Sequence, residues 1–282
     1  MAGLSICLLA LLSGLDSIQP PISQSVSEIA RRVEREFCVG PEDFGQLEHE
    51  RHLETLRELG EPGRNALLSV ARSRKSVANC ALIFLVELGD KRAFPLLRDI
   101  VSRPDATRGD LSVALWGLGA LPQPESYPLI ASFLLEPAPE VPAATAIQAL
   151  GAIDDDRARN RLRELLADPR FTRQKYAVVR ALGRHRDVTS MSAIASILDQ
   201  AVVPRDFLLV VEGITALVMM RTPDSLGVAR EQLKKIGDSD VRERALNSAR
   251  EALRQELKRT GDPTEQQAIQ SLLRELGTWG QQ

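Results

Sequence analysis

The chain has 282 residues and a formal net charge of -2, from 36 Lys and Arg against 38 Asp and Glu. That is enough chain for a sizeable core in one extended or two compact domains, and the charge balance gives no bulk reason to bind nucleic acid or anionic lipid. Aromatic residues make up only 4%, too few for a base-stacking surface. Leu and Ala, both strong helix formers, are very frequent, so the composition points to an all-helical protein.

The first fifteen residues, MAGLSICLLALLSGL, are apolar and uncharged. They are too short to span a membrane and have the length of a signal-peptide core, but they lack a preceding Lys or Arg and an A-x-A cleavage site. The reading therefore favours a first helix packed on the domain, and a cytoplasmic location, over a secreted or periplasmic protein with a cleaved leader. Pro20-Pro21 falls in a linker, because consecutive prolines break helices. Residues 1–21 form this apolar segment and linker, and 22–59 an N-terminal helical cap. In the cap, Ile29, Val33 and Phe37 make one helical stripe, and Leu47, Leu53, Leu56 and Leu59 mark a second helix. Cys7, Cys38 and Cys80 fit no ligand spacing. Cys80 reads most simply as core, and a Cys38–Cys80 disulfide is open without sequence support.

A period then appears. VELGD, WGLGA, IQALGA and VRALGR place Gly89, Gly119, Gly151 and Gly183 at intervals of 30, 32 and 32 residues. Each glycine ends an apolar helix, and each is followed by a polar turn and a second helix: FPLLRDIVSR, YPLIASFLLE, ARNRLRELLA and MSAIASILDQ. Such helix pairs cannot bury their apolar faces alone and must stack on their neighbours. The glycines read as helix C-terminal positions needing left-handed backbone. A fifth pair follows Arg205 without the terminal glycine, and a sixth, longer and more charged, runs from Ser239. Asp262-Pro263 opens a last helix. The repeats cover 60–259, and 260–282 forms a C-terminal capping helix and tail.

Asp240-Val241-Arg242 with Ala245, and the Ala-Leu-Gly triplets ending at Gly151 and Gly183, resemble HEAT repeats. They are most like the short bacterial units also found in phycobilisome-lyase-like proteins. The resemblance implies an all-α, right-handed α-solenoid of stacked antiparallel helix pairs, a HEAT-like, ARM-type superhelix. Proteins of this kind usually serve as binding scaffolds on their concave face. Most units here lack the Val-Arg pair, and linkers such as EPAPEVP are idiosyncratic.

No G-x-S-x-G, Walker loop or dinucleotide fingerprint is present, so no catalytic residue, metal ligand or cofactor is assigned. His49 and His52 sit three apart in HERH, on a helix facing solvent rather than as zinc ligands. His185 lies in a turn where flanking arginines would lower its pKa. Asp154–Asp156 read as a helix start rather than a metal site. The better candidates lie on the helices that precede the glycines. Counting three residues back from each glycine gives a ladder containing Trp116, Gln148 and Arg180. Tyr176 lies one turn before Arg180, and Glu212 continues the 32-residue step. Trp and Arg are common binding hot spots. The leading expectation is a non-catalytic scaffold for a protein or peptide partner, with no nucleic acid and no membrane span. The alternative is a lyase-like or chaperone-like factor holding a chromophore or small ligand, which needs a deep pocket with convergent polar groups. A nucleic-acid-binding HEAT-like protein comes after both.

Overall fold

The computed structural model describes residues 25–38, 46–73, 77–135, 140–201 and 205–279. The apolar segment 1–15, Cys7, most of the proline linker and parts of the EPAPEVP and VVPRD breaks lie outside the described residues. The chain divides into two compact units, one ending at Ala81 and the other beginning at Leu82.

In the first unit, α1 (Val26–Arg32) opens with a capping box in which Ser25 and Glu28 satisfy each other's end of the helix. It continues as a π turn over Val33–Phe37. α2 (Gln46–Glu58) and α3 (Gly60–Arg72) follow. Ile29, Val33, Phe37, Leu56, Leu67 and Val70 are buried, so the stripe expected at 29, 33 and 37 faces the core. A disulfide joins Cys38 to Cys80. The bridge fixes the end of the π turn to α4 (Ala78–Glu87), a tie that the simple core reading of Cys80 did not contain.

The second unit is a stack of helix pairs. After α4 come α5 (Phe94–Ser102), α6 (Arg108–Ala120), α7 (Ser126–Ser132), α8 (Glu140–Leu150) and α9 (Asp156–Ala167). They are followed by α10 (Lys175–Arg184), α11 (Met191–Gln200), α12 (Phe207–Met220), α13 (Pro223–Lys235), α14 (Ser239–Arg259) and α15 (Pro263–Trp279). The inner helices contact each other in succession: α6 with α8, α8 with α10, α10 with α12, and α12 with α14. Every residue of α12 from Val210 to Met220 is buried, as an apolar helix wrapped by neighbours should be.

The periodic glycines do a different job from the one their position suggests. Only Gly89 has the left-handed backbone, with φ of 68°. Gly119, Gly151 and Gly183 are where successive inner helices come closest. A Cβ on Gly119 would lie 2.8 Å from the Cα of Ala149, one on Gly151 2.7 Å from the Cβ of Ala181, and one on Gly183 2.6 Å from the Cα of Ala216. The Ala-Leu-Gly triplet thus has two roles. Its alanine packs on the preceding unit's glycine, and its glycine receives the next unit's alanine. The fifth pair lacks the glycine but keeps the alanine at Ala216. Its helix end takes the left-handed conformation at Arg221, with φ of 57°.

Candidate functional site

Inner helices α10, α12 and α14, with the turn after α8 and the start of α15, line an open-sided cavity of about 960 Å³. Its floor is set by α12. Glu212 is a charged residue in an otherwise apolar buried helix, 3% exposed, and a buried carboxylate needs a partner. Arg180 of α10 supplies it with two parallel bonds, Nε to Oε2 at 2.7 Å and Nη2 to Oε1. This hydrogen bonding raises the pKa of Arg180. The two rungs separated by one 32-residue step are therefore bonded to each other. Thr215 Oγ1 donates to the Val211 carbonyl at 2.8 Å and lies 3.0 Å from Ser248 Oγ, which ties α12 to α14.

Ion pairs bridge part of the rim. Arg186 has left-handed backbone, with φ of 51°, in the turn after α10, and its Nη2 reaches both Glu256 of α14 and Glu265 of α15. Arg221, at the end of α12, binds the same two carboxylates. Hydrogen bonds from Thr260 and then Arg186 hold the Glu265 carboxyl down at about 2. Arg184 lines the cavity one turn beyond Arg180, and Arg259 lines it from α14. Burial first, then the nearby Arg259 and Arg180, lower the pKa of Arg184.

Of the ladder residues, Arg180 and Glu212 line this cavity; Trp116, Gln148 and Tyr176 do not. Trp116 is 38% exposed on α6, while Gln148 on α8 and Tyr176 on α10 are half-buried. Arg184 carried a readable signal, since it is four residues from Arg180 and shares its helix face. Arg259 and Glu265 had none, because they come from the irregular terminal helices, where the period is lost.

The remaining sequence candidates are structural. His185 ends α10, and its Nε2 lies 3.0 Å from the Leu150 carbonyl. Its pKa is lowered chiefly by burial, with the flanking charges secondary. His52 stacks on Phe37, ring centroids 4.3 Å apart, and burial lowers its pKa too. Asp155 caps α9 by accepting from the Arg157 backbone at 2.7 Å. Asp154 and Asp156 pair with Arg159. Among the described residues no group of three or more His, Cys, Asp or Glu could hold a metal ion, and no helix is long and apolar enough to cross a membrane.

Residues 110–183, from α6 through α10, match the family model for HEAT repeats. This is a HEAT-repeat fold. Among solved structures, a chain of the complex of CpcE and CpcF of phycocyanin lyase from Nostoc sp. PCC7120 is similar to it, with a TM-score of 0.51 at 16% identity. That alignment covers 93% of this chain and 98% of the other. Human deoxyhypusine hydroxylase in complex with glycerol aligns at 20% identity over 91% of this chain and 96% of its own, with a TM-score of 0.35. No curated protein gives a significant match to the sequence. The expected all-α stack of HEAT-like, ARM-type pairs is therefore what the chain forms, and its likeness to the phycocyanin lyase chain is one of fold.

Proposed function

We propose that this HEAT-repeat protein is a lyase-like or chaperone-like factor that holds a chromophore or another small organic ligand in the cavity between α10, α12 and α14. The observation that carries this reading is the cavity itself. At about 960 Å³ it is in the size range of small-molecule sites. Charged and hydroxyl groups converge on it from three successive inner helices. The fold likeness to a phycocyanin lyase chain supports the same reading over a purely protein-binding scaffold. Dialysis of the full chain against a small-molecule extract of its native cells, followed by mass spectrometry of what is retained, tests it. Wild-type protein is expected to enrich one compound class that Ala252→Trp, with the cavity filled, does not. Equal retention by both proteins, or none by either, overturns the reading.

A second reading keeps a protein or peptide partner on the inner face outside the cavity, and the exposure of Trp116 favours it. There Trp116, Gln148 and Tyr176 would contact the partner, while Arg180 and Glu212 hold the helices in place beside it.

The disulfide between Cys38 and Cys80 supports an oxidising compartment, because such bonds persist outside the reducing cytosol. It shifts the balance toward the secreted or periplasmic reading of residues 1–20.

A further inference from the structure

The charges around the cavity leave an excess at one place. Glu212 is matched by Arg180, and Glu256 and Glu265 by Arg186 and Arg221. Glu251 faces Arg254 at 3.7 Å, and Asp154 faces Arg159 at 3.7 Å. What remains is Arg184 from α10 and Arg259 from α14, two like charges that line one recess and have no carboxylate partner among the described residues. Behind burial, Arg259 is also among the charges that lower the pKa of Arg184. Both side chains are exposed, yet two guanidiniums brought to one recess from separate helices, with no described carboxylate bonded to either, leave a local positive excess that a bound anion would balance. A guanidinium presents a planar fork of donors that fits two oxygens of one anionic group. The Arg180–Glu212 pair, one turn before Arg184, fixes the helix that carries one of these forks.

We infer that the cavity holds an anion site in which Arg184 and Arg259 together receive a carboxylate or phosphate group of the bound molecule. The inference rests on the ligand-holding reading and adds the chemistry of what is held. Isothermal titration of the full chain with inorganic phosphate and, separately, with glutarate distinguishes the two sources of the anionic group. Saturable binding of one of them is expected, at least tenfold weaker in Arg184→Gln and in Arg259→Gln and unchanged in Arg254→Gln. Arg184→Lys should recover part of the Arg184→Gln loss, because charge remains while the fork is gone. Arg184 and Arg259 are both exposed, so neither glutamine variant removes a core contact, and each keeps the test alive should the other fail to fold. Binding of neither anion, or an equal loss in Arg254→Gln, overturns the site. The dialysis experiment separates the two levels. A compound retained by wild type and by both glutamine variants, but rejected by Ala252→Trp, overturns the anion site and leaves the ligand-holding reading standing. If Ala252→Trp retains whatever the wild type does, both fall.

Discussion

At Gly183 a missing side chain is a packing element. The nearest atoms of Ala216 lie 2.6 and 2.7 Å from where a Cβ would stand, and both belong to a backbone-anchored residue that cannot swing away. Gly183→Ala is therefore expected to cost about 1–3 kcal/mol, the usual range for overpacking. Gly227, in α13, has nothing within 4 Å of its would-be Cβ. The same substitution there should stabilise by about 0.5–1 kcal/mol through helix propensity. Urea midpoints of the two variants should move in opposite directions. A shared sign would refute the close-approach account of the repeat glycine. Asp187 is the residue whose charge matters most to the turn after α10. Burial pushes its pKa up, yet Arg163, Ser190 and Thr189 together hold it down at about 2. A depressed carboxylate contributes stability that is fully present above its unfolded value of 3.8 and is lost as pH falls through the folded value. Between pH 5 and pH 2 the wild type is expected to lose roughly 2 kcal/mol more than Asp187→Asn, read from denaturant titrations at each pH.

At the level of elements, much of the fold was legible because it is periodic. The glycine spacing, the polar turns and the apolar stripes located α4 through α11 without reference to any neighbour, and Asp262 with Pro263 announced the start of α15. The close helix approach was not legible, because a helix-ending glycine and a helix-touching glycine look alike in sequence. Half of the candidate site followed the same rule. Arg180 and Glu212 lie one repeat apart and were readable, whereas Arg259 and Glu265 sit on helices of unrepeated length. The Cys38–Cys80 disulfide could be named from the sequence but not supported, for a related reason: the two cysteines are 42 residues apart, and only the packing of the first unit brings them together. A loop of that size predicts a loss of up to about 4 kcal/mol on reduction, in the chain-entropy description. The melting temperature of the full chain should therefore drop with dithiothreitol and be insensitive to it in a Cys38→Ser, Cys80→Ser variant. An identical response in both proteins would mean the bond does not form.

At the scale of the repeat unit's whole array, stacked helix pairs normally behave as a one-dimensional chain in which each pair feels only its neighbours. The charged rim departs from that rule. Arg186 belongs to the turn of the α10–α11 pair, yet its carboxylate partners lie on α14 and α15, beyond the intervening α12–α13 pair. Arg221, from that intervening pair, shares both carboxylates, so the four groups act as one network rather than as isolated surface pairs of little value. Glu265 is its hinge, since it touches both arginines and the Thr260 hydroxyl. Glu265→Gln is expected to loosen two places at once: the start of α15, and the Arg186 turn, which lies far from it in the chain. Hydrogen exchange followed by mass spectrometry reads this directly, as faster exchange in peptides covering 185–190 as well as 260–270. High salt should produce a weaker version of the same pattern in the wild type, because the network is partly open to screening. If the change stays confined to α14 and α15, the array is strictly nearest-neighbour and the rim does not couple the two ends of the cavity. If both places respond, anything that binds between Arg184 and Arg259 sits beside a network that spans the same helices.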